Sequence, residues 1–285
     1  MTWEATHRRK QAVETVHDVV SAMRAIAAGR IQGAQRALES ARRYHEVVLR
    51  AMATLLDGSA SLPAGTVHRP TTLLVMTSEQ PLCGSFNPNV LGFAEERWLA
   101  LRKAGDAHLV VVGQRGIHQL IARGIDLAAG EPAATSLEGL HDLVKRLSDL
   151  LGRRHSAGNL GALRVVFNRY QSLSEQVPTE VQILPPDLEQ IRRSAPARRS
   201  EFHRYLPPAE LLAGLVQEYL FISLYLVAVE SFASEQASRL VAMDSSTRNT
   251  ERMLETLRGL ERRERQGEIT AQVLELIGAR FAAGS

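Results

Sequence analysis

Apolar residues recur at alternating spacings of three and four along residues 2–57, a stretch that contains no proline. The series runs through Val13, Val16, Val20, Met23, Ala27, Arg30, Ala34, Ala37, Ala41, Tyr44, Val48, Ala51 and Leu55. A spacing that averages 3.5 residues keeps one stripe turned toward a partner helix. The pattern therefore predicts an N-terminal coiled-coil helix over residues 2–57, roughly 80 Å long at the rise of an α-helix.

A second stripe of the same kind begins after Pro207 and Pro208, residues that are tolerated in the first turn of a helix. Its positions are Leu212, Leu215, Tyr219, Ile222, Leu226, Val229, Ala233, Gln236, Leu240, Met243, Thr247, Thr250, Leu254, Leu257 and then Ile269, Val273, Leu276 and Ile277. The stripe predicts a C-terminal coiled-coil helix over residues 208–283, roughly 110 Å long. Small residues of the first helix, Gly33 among them, are expected to let the two helices approach closely.

Between the two helices the apolar period changes. Short apolar runs that favour strands occupy residues 71–77, 109–112 and 163–167, with a weaker candidate at 181–184, and helix-like segments lie between them. This alternation predicts a small, mostly parallel, Rossmann-like α/β domain over residues 70–186. Residues 187–207 are polar and arginine-rich and are interpreted as a linker. The predicted fold is thus mixed α/β: a long antiparallel coiled coil of the terminal helices plus this domain.

Composition and charge exclude several classes of protein. The formal net charge is only +3, from 34 basic and 31 acidic residues, which does not indicate a nucleic-acid-binding protein. The single cysteine, Cys83, excludes an intrachain disulfide. The longest apolar run, residues 220–229, is shorter than the ~20 residues of a membrane span, so no direct membrane insertion is expected. The polar start of the chain does not resemble a secretory signal.

Candidate chemical motifs are weak. Gly113 and Gly116 lack the spacing of a nucleotide-binding loop and are interpreted as a tight strand-to-helix turn. Cys83 lies in a turn after the first strand and is interpreted as a packing residue rather than a nucleophile. The nine histidines show no metal-binding spacing, and His7, His17 and His45 are placed on the polar face of the first helix. We therefore expect no catalytic residue, no cofactor and no metal.

Three segments resemble one known family. They are Val20–Arg30, Leu82–Asn87 and Ala233–Met243, and they are similar to signatures of the gamma subunit of F-type ATP synthases. Arg265–Thr270, behind the third, also resembles a family signature, and Ser174–Thr179 is a fourth, looser match. The third is very close to the family pattern A-S-E-x-x-A-R-x-x-A-M. The segments occur in the order of the family and span almost the whole chain. Departures at Gln80–Pro81 and Ser85–Phe86 suggest a divergent copy that serves an alternative F-type enzyme.

The resemblance implies a non-catalytic, central-stalk rotor that couples ion flow through a membrane ring to ATP synthesis or hydrolysis. The implied partners are the alpha and beta subunits of the head, the epsilon subunit and the membrane rotor ring, with the chain held peripherally at the cytoplasmic face of the cell membrane. The implied beta-subunit contacts are Met23, Arg239, Met243, Arg265 and Gln266. The implied turn motif of the foot is Leu82, Cys83, Gly84 and Asn87. A coiled-coil adaptor unrelated to ATP synthesis, or a small enzyme with helical arms, remains an alternative.

Overall fold

A computed structural model describes residues 3–56, 69–194 and 206–283. The helices and strands of these residues, in chain order, are α1 (Trp3–Leu56), β1 (Thr71–Met76), α2 (Phe86–Ala104), β2 (Ala107–Val112), α3 (Gln114–Ala122), β3 (Ala129–Glu131), α4 (Leu137–Ser156), β4 (Ala162–Tyr170), β5 (Gln176–Leu184), α5 (Leu188–Arg193) and α6 (Pro208–Ala283). The chain divides into two compact units, one of residues 27–239 and one of residues 1–26 with 240–285. Each long terminal helix contributes to both units.

The unit of residues 27–239 is built on a five-stranded sheet of order β3-β2-β1-β4-β5. Strands β1 to β4 are parallel to their neighbours, and β5 is antiparallel to β4. The expected Rossmann-like α/β domain is therefore confirmed. Strand β3 was not anticipated, because its three residues are too few to form an apolar run and none is fully buried.

Alternating residues of the strands fill two separate cores. Leu73 and Val75 of β1 face α2 and α3 on one side of the sheet. Leu74 and Met76 face the other side, where α4, α5 and the adjoining parts of α1 and α6 cover the sheet. The sheet is thus covered by helices on both faces, as its nearly continuous apolar strands require.

The unit of residues 1–26 and 240–285 contains an antiparallel pair of helices. Three contacts establish the direction: His7 bonds to Glu261, His17 to Thr250, and Arg24 to Asp244. Glu261 also accepts a hydrogen bond from Lys10 at 2.8 Å. Inside the other unit, Arg42 bonds to Glu230 in the same antiparallel sense. The predicted antiparallel pairing of the terminal helices is confirmed in each unit.

The predicted stripe of α1 is wrong at two positions. Val16 and Tyr44 are 52% and 47% exposed, whereas the residues that follow them, His17 and His45, face α6. The predicted positions seven residues apart from Val20 to Leu55 are all buried, so the stripe does not drift along α1. Its second line of contacts runs one residue later than predicted, through Ile31, Leu38 and Met52. The expectation that His7, His17 and His45 point to solvent was also wrong. Burial against Tyr219 lowers the pKa of His45 below its usual value.

Gly33 makes room for α4 rather than for α6. A Cβ atom on Gly33 would lie 2.7 Å from Cδ1 of Leu137, the first residue of α4. Ala27, Ala34 and Ala41 of α1 are buried, and Ala34 and Ala41 lie in the core that α4 and α6 share.

The predicted linker, residues 187–207, contains the short helix α5. Asp187 caps this helix by accepting hydrogen bonds from the backbone N–H groups of Glu189 and Gln190. Ile191 is fully buried in the core that α1, α4 and α6 share. Because α5 holds only two apolar residues, Leu188 and Ile191, and only Ile191 is buried, its role is not visible as a period. Residues 195–205 of the predicted linker lie outside the described residues.

Helix α6 meets the length and composition of a membrane span, with mean hydropathy 1.8 over its most apolar 18 residues. In the structure, 44% of that window is buried inside the protein. Tyr219, Val229 and Ala233 pack in the core that includes β1 and β4. The apolar character of α6 is therefore explained by its packing against the sheet.

The packing of α5 generates a stability prediction. We expect Ile191→Ala to lower the free energy of unfolding by about 2–5 kcal/mol, because it leaves a cavity in a closed core. Leu188→Ala in the same helix is the matched control, since Leu188 is 45% exposed and should cost no more than about 0.5 kcal/mol. Urea unfolding followed by circular dichroism measures both. Equal losses for the two variants would show that α5 is a loosely attached part of a linker.

Candidate functional site at the carboxyl edge of the sheet

The strand order locates the crevice in which open α/β sheets normally bind ligands. Connections from β1 lead outward through β2 to β3, and the chain then returns across the sheet to β4 on the other side of β1. The switch point therefore lies at the carboxyl ends of β1 and β4, where the two adjacent connections leave in opposite directions. The residues at these ends are Thr77–Ser85 after β1 and Asn168–Tyr170, the last three residues of β4.

The turn after β1 is organised by Asn87. Its Oδ1 accepts a hydrogen bond from the Ser78 backbone N–H at 3.0 Å, and its Nδ2 donates to Ser78 Oγ at 2.7 Å and to Cys83 Sγ at 3.4 Å. Leu82 and Gly84 have positive φ angles of 66° and 55°, which bend the chain around the buried Cys83. Burial raises the pKa of the Cys83 thiol, so Cys83 is a packing residue rather than a nucleophile.

Helix α6 fills the crevice between the two strands. Ser234 Oγ donates a hydrogen bond to the backbone oxygen of Asn168 at 2.7 Å, and Ser238 Oγ donates to the backbone oxygen of Cys83 at 2.9 Å. Asn168 Nδ2 in turn donates to the backbone oxygen of Phe86 at 2.8 Å, which joins β4 to the first residue of α2. The place where a ligand would bind is thus occupied by two serines of the C-terminal helix.

A buried ion pair lies beside these serines. Arg239 Nη2 donates to Glu235 Oε1 at 2.7 Å, and the two side chains are only 4% and 9% exposed. Desolvation raises the pKa of Glu235 against the opposing effect of the Arg239 and Arg30 charges. Nε and Nη1 of Arg239 are also buried, and no residue in the described parts of the chain accepts a hydrogen bond from them. The pair is costly to separate, because either charge alone would be buried without compensation.

The turn at Gly113–Gly116 is a packing turn, as the sequence indicated. A Cβ atom on Gly113 would lie 2.4 Å from the backbone oxygen of Thr77, and one on Gly116 would lie 2.3 Å from Thr77 Oγ1. Glu79 covers the start of α3, since its carboxylate accepts hydrogen bonds from the backbone N–H groups of Gln114 and Ala133. Backbone donors that could hold a phosphate are therefore already bound to a side chain.

The residues predicted to contact partner subunits differ in how far they are exposed. Arg265 and Gln266 are exposed and Met23 is half-buried, whereas Arg239 and Met243 are only 3% and 2% exposed. Burial of Arg239 and Met243 does not favour a direct contact of their side chains with a partner. In the turn motif, Leu82 is exposed, while Cys83 and Asn87 are buried beneath α6.

Four residues of this site, Ser234, Glu235, Ser238 and Asn168, are not among the predicted site residues. The first three lie within the segment Ala233–Met243. Their spacing is a usable signal, because Ser234 and Ser238 are four residues apart on one helix face, and so are Glu235 and Arg239. Two adjacent polar faces on an otherwise apolar helix indicate a polar docking site. Asn168 carries no such signal, because it is a polar residue near the end of β4 with nothing in its spacing that marks a contact to a distant helix.

Comparison with known proteins agrees with this architecture. The family model described as "ATP synthase" matches residues 2–282. The "ATP synthase gamma chain" of Ruegeria sp. (strain TM1040) is 32% identical over 280 residues, which cover 94% of this chain and 95% of the relative. The chain belongs to the family of ATP synthase gamma chains. It is therefore a non-catalytic subunit of an F-type ATP synthase, the rotor of the central stalk.

Other relatives of the family match over the same extent. The gamma chain of Granulibacter bethesdensis is 32% identical and covers 96% of this chain and 97% of its own length. Among solved structures, a chain of the Euglena gracilis mitochondrial ATP synthase (OSCP/F1/c-ring) superposes with a TM-score of 0.63. That match covers 98% of this chain and 94% of the other at 14% identity, so it supports the fold alone. In this family, a crevice filled by the protein's own helix fits a subunit that binds no substrate.

The buried pair generates a prediction about its energetics. We expect Arg239→Ala to lower the free energy of unfolding by about 3–5 kcal/mol, because it leaves the Glu235 carboxylate buried and unpaired. The double variant Arg239→Ala/Glu235→Ala should recover part of that loss, which gives a favourable coupling energy in a double-mutant cycle. Urea unfolding of the four proteins measures the cycle.

The matched control is an exposed pair of the same spacing on the same helix. Arg248 bonds to Asp244 four residues earlier, and the two side chains are 67% and 37% exposed. Arg248→Ala should cost no more than about 1 kcal/mol. A loss for Arg239→Ala as small as that for Arg248→Ala would mean that the buried pair does not hold α6 at the sheet.

Proposed function

We propose that the alpha and beta subunits of the head enclose the last turns of α6 and that this segment brings the rotor into contact with them. The observation that carries the proposal is an apolar stripe with no partner helix among the described residues. Ile269, Val273, Leu276 and Ile277 lie at spacings of four, three and one, on one face of the helix. Their exposed fractions are 52%, 47%, 71% and 47%.

The stripe begins where pairing with α1 ends. The contact closest to the start of α1 that joins the two helices is the one from His7 to Glu261. Beyond it α6 continues for some twenty residues, to Ala283. Contiguous apolar surface of this kind marks a protein-protein interface. A ring of head subunits is the occupant that the family provides, and a stripe without charges suits a contact that must slide as the rotor turns.

A second exposed apolar stripe lies on α1. Val16, Val19 and Ile26 are each more than half exposed, and with the half-buried Met23 they follow a helical spacing of three and four. We propose that this face, together with the exposed Arg265 and Gln266, contacts the beta subunits. Apolar contact through Met23 fits a changing interface, because a flexible thioether adapts to different partners.

Arg239 and Met243 are proposed to act indirectly. Because both are buried, we propose that they fix α6 in place so that exposed residues meet the beta subunits in a defined orientation. Arg239 would do so through Glu235, beside the serines that bind the sheet edge. Torque on the sheet would then be transmitted to α6 without a shift of the helix against the sheet.

The finer assignments of partners and location are also proposals. We propose that the α/β domain binds the epsilon subunit and the membrane rotor ring. Solved relatives that share the fold come from a "central stalk/cring" and from a "rotor", which supports the ring contact. The chain would then be held peripherally at the cytoplasmic face of the membrane. No observation favours an adaptor unrelated to ATP synthesis.

The test places a charge in the stripe of α6. We expect Leu276→Asp to leave the unfolding of the isolated chain unchanged, because Leu276 is 71% exposed there. In the assembled complex the same charge would be buried, so we expect weaker binding to the alpha and beta subunits. Co-purification with these subunits, and ion pumping per ATP hydrolysed, measure the effect.

The matched control is Gln272→Asp, which adds the same charge to an exposed polar position of the same segment. This variant should assemble and pump as the unmodified chain does. If Leu276→Asp assembles and pumps as well as Gln272→Asp, the head does not enclose this stripe and the proposal fails.

A further inference from the structure

The amino edge of the sheet, opposite the edge that α6 covers, collects basic side chains. Helices α2 and α4 each precede a parallel strand, so their carboxyl ends lie beside the amino ends of β2 and β4. Arg69 lies at the same edge, with its Cβ 2.7 Å from the Cβ position of Gly161, the residue that bonds to Pro70. We call this set the basic edge: Arg69, Arg102, Lys103, Arg153, Arg154 and His155.

The charges of the basic edge are not neutralised within the described residues. None of the six side chains forms an ion pair with another residue in ranges 3–56, 69–194 or 206–283. Elsewhere on the same domain, Arg97, Arg123 and Arg146 each pair with a glutamate. All members of the basic edge except Arg154 are exposed. Arginines elsewhere on this domain thus have acidic partners, whereas those of the basic edge have none among the described residues.

The charges of the basic edge affect His108, which lies at the start of β2 close to Arg102 and Arg154. Burial lowers the pKa of His108, and the charges of Arg154 and Arg102 lower it further. Only Asp106 acts in the opposite direction. A positive field that opposes protonation of a neighbouring histidine is the field that attracts an anion from outside.

Helix dipoles explain part of the basic edge but not all of it. Basic residues near a helix carboxyl end are favourable because they oppose the partial negative charge there. This accounts for residues in the last turns of α2 and α4. It does not account for Arg69, which precedes a strand. It also does not explain why the two helix ends and the start of β1 lie at the same edge of the sheet.

We propose that the basic edge binds the anionic headgroups of membrane lipids beside the rotor ring. The proposal rests on the proposed function, which holds the chain at the membrane through the ring. The members of the basic edge are long or aromatic side chains on three separate elements: the segment before β1 and the ends of α2 and α4. Such an open array of point charges suits many laterally mobile phosphates rather than one peptide of fixed shape.

The experiment measures binding of the chain, in complex with the head subunits but without the ring, to lipid vesicles. Vesicles of phosphatidylcholine with 30% phosphatidylglycerol are compared with pure phosphatidylcholine in about 0.1 M salt by co-sedimentation. Near an anionic surface each basic residue contributes about a fivefold factor in affinity. Arg102→Gln/Lys103→Gln/Arg153→Gln should therefore weaken binding to the anionic vesicles by about 100-fold.

The matched control neutralises three exposed basic residues elsewhere on the same domain: Arg115→Gln/Lys145→Gln/Arg169→Gln. It changes net charge equally and should retain most of the affinity. Equal losses in both triple variants would overturn the proposal. So would variants of the basic edge that keep vesicle binding but no longer co-purify with the ring, since the partner would then be a protein. Failure of the complex to form with an unmodified chain would instead count against the proposed function.

Discussion

Burial of one ion pair constrains where the C-terminal helix can lie. Glu235 and Arg239 are charged groups inside the protein, and each is tolerated there because the other is 2.7 Å away. Immediately before each member of the pair, Ser234 and Ser238 use their hydroxyl groups on backbone oxygens at the ends of the sheet. A rotation or shift of α6 by one residue would break the serine hydrogen bonds and move the pair, which lies within α6, out of its buried position. The helix is therefore held in one register against the sheet.

This register decides what the α/β domain can do. Doubly wound sheets usually keep the switch point open for a ligand. Here Asn168 joins β4 to the start of α2 and α6 covers this edge of the sheet, so the turn around Cys83 packs against a helix instead of a substrate. A fold that is common in enzymes here holds a helix in place. For a rotor subunit the useful property of the edge is mechanical stiffness, which close packing and satisfied hydrogen bonds provide.

Much of the fold was predictable because long elements carry strong periodic signals. The terminal helices and β1, β2 and β4 follow from apolar patterns alone. Strand β3 and helix α5 did not, because three residues, or one buried isoleucine, do not make a period. The stripe of α1 was wrong at Val16 and Tyr44, because an apolar pattern does not reveal that α6 packs against the polar His17 and His45 beside them. The site was least predictable: burial of Glu235 and Arg239 depends on a sheet edge that lies far away in the sequence.

The apolar stripe at the end of α6 also affects how stable the subunit is in the cell before it is assembled. A newly made chain would display Ile269, Val273, Leu276 and Ile277 to the solvent until partners cover them. Exposed surface of this kind promotes aggregation and recognition by chaperones and proteases. Copies made in excess over the other subunits would thus be removed, which ties the abundance of the chain to the stoichiometry of its complex.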